Sequence, residues 1–368
     1  MTDRALTLRE RLEHRVARAL LRLPPALLVR LSGGPPVVRD GLTLHPELQL
    51  MISLRERLGA VPLSALPPDQ GRRRFRRECL MHAGEPVELG AVRDLVLDTG
   101  RGPLEARHYA PMPGSESGSE RRPLLLFLHG GGFVLGDLDT HDTTCRMLCR
   151  HAGLHVLAVD YRLAPEHPFP AALEDASAAF AWARAHAHEL GADPGRIAVG
   201  GDSAGGNLAA ALSQLAVREG TPTPALQLLL YPPMDRTVDR ASLGNFAQGF
   251  VLTRDDIVWF HGHYAGTVDS TDPRISPLLC RELSGLPPAL VITAGFDPLR
   301  DEGEAYASAL EAAGTPVTLR RFDGLVHGFA NMTALSPACR AAMVEIASML
   351  RHMLDKLPAG ASRGKVGA

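Results

Sequence analysis

Two regimes of hydrophobic patterning divide the chain. Through residues 1–88 the apolar positions recur at helical spacing, in short stretches broken by Pro24-Pro25, Pro35-Pro36 and Pro67-Pro68, without a strong strand signal. One such stripe is Leu12, Val16, Leu20 and Leu23, with Glu10, Glu13 and arginines on the other faces; it is expected to pack onto the body of the protein. From about residue 92 the pattern changes to strand and helix in alternation. Strands are predicted over 92–98, 104–109, 124–128, 154–160, 196–200, 225–230, 289–294 and 316–322. Several of these are near-continuous apolar runs, as expected for strands covered on both faces. Helices are predicted over 171–189, 204–218, 301–313 and 337–356. This alternation points to an α/β layered fold with a mostly parallel sheet.

Two segments interrupt the alternation. PMPGSESGSERR (111–122) reads as an exposed polar connection between early strands. Residues 236–272 intrude between two strands and carry a helical segment from Arg254 to Tyr264. Folded back against residues 1–88, this insertion would make a lid. The expected organisation is residues 1–88 as the first part of a helical cap, 89–235 and 273–357 as the two parts of a catalytic core, 236–272 as the cap insertion, and 358–368 as a disordered tail. The sequence leaves open whether Trp259 and Phe260 belong to the cap interior or to the pocket wall.

Composition narrows the function classes. With 45% hydrophobic and 22% charged residues, the chain has ordinary globular usage and enough apolar mass for a core. A formal net charge of −2 argues against a nucleic-acid partner, which a basic excess would favour. The arginine run Arg72, Arg73, Arg74, Arg76 and Arg77 is read as the solvated face of a helix whose Phe75 turns inward. Five cysteines fit no disulfide framework, and Cys145 and Cys149 complete no zinc pattern, so buried thiols are expected. No segment has the apolar length of a membrane span and the start is too charged for a secretory signal, so the expectation is a cytoplasmic protein.

Four local signals carry chemistry. Gly201-Asp202-Ser203-Ala204-Gly205 stands between a predicted strand and a predicted helix. A serine that attacks a carbonyl must project from such a turn, where flanking side chains would collide with backbone. The alternative is a glycine-rich turn in which Ser203 merely caps the helix. His129-Gly130-Gly131-Gly132-Phe133 follows the strand at 124–128. Its uncovered amides at Gly131 and Gly132, joined by that of Ala204, would make an oxyanion hole. No phosphate-loop pattern completes this segment, and His129 is read as structural. Asp297 follows the strand at 289–294, whereas Asp301 and Glu302 read as acids of the next helix's first turn. His327 lies just beyond the strand at 316–322, downstream of Ser203 and Asp297. The order Ser, Asp, His is the one expected of a nucleophile, an orienting carboxylate and a base on this architecture.

These residues resemble the hormone-sensitive-lipase-like branch of the α/β-hydrolase superfamily. The resemblance runs over residues 88–355 through HGGGFVLGDLDTHD, DYRLAPEHPFPAALEDA, GDSAGGNLAA, DPLRDEGEAYA and HGF. It implies an α/β-hydrolase fold with eight mostly parallel strands, helices on both faces, and a cap. It carries catalytic roles to Ser203, Asp297 and His327 and oxyanion roles to Gly131, Gly132 and Ala204. Phe133, Asp202, Tyr231 and Phe329 are the candidate substrate-binding residues.

The implied reaction is hydrolysis of short- to medium-chain carboxylic esters through an acyl-enzyme, without metal or organic cofactor. The partner is a small-molecule ester, and the protein a monomer or a homodimer, with the strand near 316–322 as a possible pairing edge. An amidase shares the triad, and a small-molecule receptor on this fold would have lost the histidine that is retained here as His327.

Overall fold

The computed structural model describes residues 8–59, 61–113 and 121–357. The expected disordered tail lies outside these residues, as does most of the polar 111–122 connection. The chain opens with helices α1 (Leu8–Leu20) and α2 (Pro25–Ser32), a two-residue ladder of β1 (Val38–Arg39) with β2 (Leu42–Thr43), and helices α3 (Pro46–Arg57) and α4 (Pro68–Ala83). α2, α3 and α4 each begin on a proline, whose fixed φ suits the first turn and whose missing N–H costs nothing there.

The body is one eight-stranded sheet. Its strands are β3 (Ala91–Asp98), β4 (Pro103–Ala110), β5 (Arg122–Leu128), β6 (His155–Val159), β7 (Ala192–Asp202), β8 (Gln227–Leu230), β9 (Ala289–Phe296) and β10 (Val317–Val326). They lie in the order β10-β9-β8-β7-β5-β6-β4-β3. β4 runs antiparallel to both of its neighbours, β3 and β6, and all pairings from β6 to β10 are parallel. Every strand predicted from periodicity is present, with ends shifted by a few residues.

Side chains alternate across the sheet and build two cores. Leu124, Leu126 and Leu128 of β5 join the interior formed with α6 (Ala171–His186), α7 (Ala204–Glu219) and α10 (Arg300–Ala312). Leu125 and Phe127 face the opposite way, toward α5 (Asp142–Ala152) and α11 (Pro337–Asp355). Burial on both faces explains why β5 reads as an unbroken apolar run. α5 was absent from the predicted helices because its polar start, Asp142-Thr143-Thr144, masks the stripe of Cys145, Leu148, Cys149 and Ala152 that it buries. All five cysteines are free thiols; four are buried and Cys280 is half-buried.

The first helix meets the expectation only toward its end, where Leu20 and, just beyond it, Leu23 pack inward. Leu12 and Val16 are 63% and 59% exposed, while Ala17, Leu20 and Leu21 pack with Leu28 and Leu50. His14 Nδ1 lies 2.6 Å from the carbonyl oxygen of Met81, which turns the neighbouring face of α1 inward. Among the described residues no helix is long and apolar enough to cross a membrane.

Candidate active site

Ser203 occupies the bend between β7 and α7, with φ 51° and ψ −118°. A non-glycine residue with that φ is held against its own preference. The bend is anchored by the Ser203 N–H, which donates to Leu230 O at 2.8 Å, and by Asn207 N–H, which donates to Ser203 O at 3.1 Å. Cβ atoms at Gly201 or Gly205 would overlap the carbonyl oxygen of Leu128, so the flanking glycines permit the close approach of β5.

The three residues expected to act together meet at the ends of three different parallel strands. His327, one residue beyond β10, places Nε2 2.9 Å from Ser203 Oγ and Nδ1 2.8 Å from Asp297 Oδ2. Asp297, one residue beyond β9, is completely buried, and its Oδ1 accepts the N–H of Leu299 at 2.8 Å. This geometry fits the tautomer with Nδ1–H donating to the carboxylate and Nε2 accepting the serine proton. Asp301 and Glu302 stand in the first turn of α10, away from the imidazole relay.

The triple-glycine segment leaves β5 as a tight turn. Val134 and Leu135 N–H both donate to Gly131 O, at 3.2 and 2.9 Å. Gly131, Gly132 and Phe133 have φ of 115°, 63° and 65°, and a Cβ at Gly132 would run into the Phe260 ring. His129 is buried, stacks on Tyr161 at 4.3 Å, and has its carbonyl held by the Tyr161 hydroxyl at 2.7 Å. Burial lowers its pKa to about 4, which keeps the ring neutral.

Gly131, Gly132, Ala204, Ser203 and His327 line one cavity of about 130 Å³. Phe75 and Cys79 of α4 and Leu63 roof it from the N-terminal segment; Leu252, and Ile257 and Phe260 of α9 (Arg254–Tyr264), roof it from the insertion. Phe260 is therefore pocket wall, whereas Trp259 packs over Gly71. Among the described residues no cluster of three or more His, Cys, Asp or Glu could hold a metal ion.

A family model described as the alpha/beta hydrolase fold matches residues 125–331. The chain belongs to the α/β-hydrolase family. Within it the relatives are esterases of the hormone-sensitive-lipase-like branch. The chain is 52% identical over 336 residues to the carboxylic ester hydrolase LipN of Mycobacterium tuberculosis, covering 89% of this chain and 88% of that one. It is 39% identical over 320 residues to an ethyl acetate hydrolase of Pseudomonas putida, covering 85% of this chain and all of the other. A solved ester hydrolase from the metagenome of Lake Arreo superposes with a TM-score of 0.81 at 39% identity, over 85% of this chain and 100% of its own.

Within this hydrolase fold, the four candidate substrate-binding residues separate. Phe133 and Asp202 border the cavity. Tyr231 and Phe329 do not; both are buried behind the imidazole, with the Tyr231 ring edge-on to His327 at 4.9 Å and Phe329 against Tyr231 at 5.2 Å. They pack as support for the histidine, a placement that sequence adjacency to β8 and to His327 could not distinguish from pocket lining.

Asp202 also does more than border the cavity. Its Oδ1 accepts the N–H of Gly130 at 2.8 Å and lies 3.2 Å from His141 Nε2. Burial pushes the Asp202 carboxyl up, but His141 and the Gly130 N–H outweigh it and hold the carboxyl below its ordinary value. His141, inside the quoted HGGGFVLGDLDTHD segment, was not singled out by sequence reasoning.

The arginine run is a solvated face only in part. Arg72 donates to Val134 O and Ala164 O, each at 2.8 Å, and pairs with Glu166. Arg76 pairs with Asp137 and Asp139, and Arg74 with Glu78. Arg72 and Arg76 clasp α4 to the loop that follows the glycines, whereas Arg73 and Arg74 pair within the helix. Arg73, paired with Asp69, and Arg77 are exposed.

Proposed function

We propose that Ser203 is the nucleophile, His327 the general base and acid, and Asp297 the orienting carboxylate of a carboxylic ester hydrolase. The observation that carries this reading is the unbroken relay from Asp297 through His327 to Ser203, opening on a cavity walled by Gly131 and Gly132. His327 Nε2 takes the proton of Ser203 as Oγ bonds to the ester carbonyl carbon. The N–H groups of Gly131, Gly132 and Ala204 receive the oxyanion, a stabilisation of roughly 2.7–4 kcal/mol per donor. His327 then gives the proton to the departing alcohol, and water repeats the sequence on the acyl-serine. Asp297 holds the imidazole in its tautomer and stabilises the imidazolium.

The helical segments 1–88 and 236–272 act as a cap that sets acyl-chain length. The small, mainly apolar cavity beneath them favours short- to medium-chain acyl groups. The enzyme is taken as cytoplasmic, and as a monomer or a homodimer paired along the outer edge of β10. Labelling with a fluorophosphonate and mapping the adduct tests the assignment. The expected adduct is on Ser203, and Ser203→Ala is expected to lose both the label and at least about 10⁴-fold in kcat while remaining folded. An adduct elsewhere, or wild-type turnover of para-nitrophenyl butyrate by that variant, would overturn it.

A further inference from the structure

Arg236 stands six residues beyond β8, in the wall shared by the active-site cavity and a neighbouring hollow of about 300 Å³. Ile257 and Leu299 belong to the same shared wall. Arg236 is half-buried, and its backbone N–H donates to Ser276 Oγ at 3.0 Å. Among the described residues no carboxylate lies within ion-pairing distance of its guanidinium, although acids surround it.

Each of those acids is committed elsewhere. Asp235 pairs with Arg240 at 2.9 Å and accepts the N–H and hydroxyl of Thr237. Asp239 pairs with Arg254 at 2.8 Å. Asp256 closes the cap of α9 with Thr253 and accepts Ser64 N–H at 3.0 Å. Glu302 Oε2 accepts the N–H of Asp235 at 3.0 Å, while its buried Oε1 has no partner. Burial pushes Glu302 up to about 8 against the opposing pull of Arg236, so burial weakens the one carboxylate that acts on Arg236 from nearby, and the two form no ion pair. Of the other charged groups on the cavity wall, Arg55 pairs with Glu78 at 3.3 Å, burial lowers His82 to about 4, and the Asp202 carboxyl is held by His141 and the Gly130 N–H.

A guanidinium partly removed from water and without an ion-pair partner gains from any carboxylate that reaches it, and its planar fork can donate to both oxygens of one. We propose that Arg236 forms an anion subsite of the active-site cavity, which admits esters carrying a carboxylate away from the scissile bond. The proposal rests on the assignment of Ser203 as the nucleophile of this cavity. Two sources fit the same chemistry: the free carboxylate of a dicarboxylic half-ester, or a carboxylate on the alcohol portion.

Wild type, Arg236→Met and Arg236→Lys are compared on two matched pairs of substrates. One pair is the para-nitrophenyl half-ester of glutarate and its methyl diester, with the charge on the acyl side. The other is 4-(butyryloxy)benzoate and its methyl ester, with the charge on the leaving group. The readout is the ratio of kcat/KM for the charged over the neutral member of each pair.

In wild type at least one ratio is expected near or above one, falling as sodium chloride rises from 50 to 500 mM. Arg236→Met is expected to lower that ratio at least tenfold, chiefly through KM, and Arg236→Lys to recover part of it. The pair that responds identifies which side of the ester meets Arg236. Ratios unchanged by Arg236→Met in both pairs, or a wild type that rejects both charged esters more than a hundredfold, overturn the subsite while leaving the nucleophile intact. Absence of turnover on the neutral esters would instead remove the assignment of Ser203, and the subsite with it.

Discussion

Asp202 Oδ1 accepts the N–H of Gly130 at 2.8 Å, so the residue preceding Ser203 holds the loop that carries Gly131 and Gly132. One carboxylate therefore fixes the spacing between the serine bend and the amides expected to receive the oxyanion. The same oxygen faces His141, so its removal would leave the Gly130 amide without its acceptor and the buried His141 without its carboxylate. Asp202→Ala is expected to cost on the order of 3–5 kcal/mol of stability, the range for breaking a buried pair from one side. It is also expected to lower kcat by about 10² as the donors shift. Asp202→Asn keeps an acceptor for Gly130 and should fall between. Denaturant titration and turnover of para-nitrophenyl butyrate check this; a kcat within twofold of wild type for the alanine variant would contradict it.

Gly132 has φ 63° and no room for a side chain beside the Phe260 ring. Gly132→Ala would meet both obstacles. The backbone conformation alone costs about 1–3 kcal/mol, and the displaced amide should cost about 10² in kcat. If steady-state kinetics gave an unchanged kcat, the loop would not be supplying a donor at this position.

Arg72 reaches from α4 to two backbone carbonyls, Val134 O and Ala164 O. Hydrogen bonds from a charged donor contribute roughly 1.5–3 kcal/mol, here reduced by partial exposure. Arg72→Ala is expected to destabilise by about 2 kcal/mol and to raise KM more than it lowers kcat, because α4 roofs the cavity without touching the reacting atoms. Urea denaturation and the KM-to-kcat split report the two effects separately.

Glu302 gives stability a definite pH dependence. Its folded pKa is about 8 against an ordinary value of 4.5. Between those values the folded state holds a proton that the unfolded state has released, so the contribution of this group falls as pH rises through that window. Glu302→Gln keeps a neutral group in place and should flatten the fall, adding stability at pH 8 relative to pH 5. Buried His108 and His155, each lowered to about 4, act in the opposite sense below pH 6.5 and are unaffected by that substitution. Melting temperatures of wild type and Glu302→Gln from pH 5 to 8 test this; parallel curves would refute it.

Much of the fold was legible because its signals are local. The strands of the sheet are buried on both faces, so β5 and β9 appear as apolar runs whatever their neighbours. Glycine at 201 and 205 reports a backbone approach that no larger residue permits. By contrast, α5 went unseen, and only half of the stripe assigned to the first helix is covered: Leu20 and Leu23 pack inward while Leu12 and Val16 turn outward. Helical spacing fixes which residues share a face but not which face meets the protein.

The sequence by itself determined the order of strands and helices, the glycine-flanked bend at Ser203 and the chain order of Ser203, Asp297 and His327. Only the tertiary structure decided what each polar side chain touches. It set Tyr231 and Phe329 behind the imidazole, turned Arg72 and Arg76 into a clasp, tied Asp202 to Gly130, and left Arg236 at the cavity wall without an ion pair among the described residues. The physical reason is range: backbone preference and apolar periodicity act between near neighbours, whereas hydrogen bonds and ion pairs join residues 60 to 200 positions apart, which no local pattern encodes.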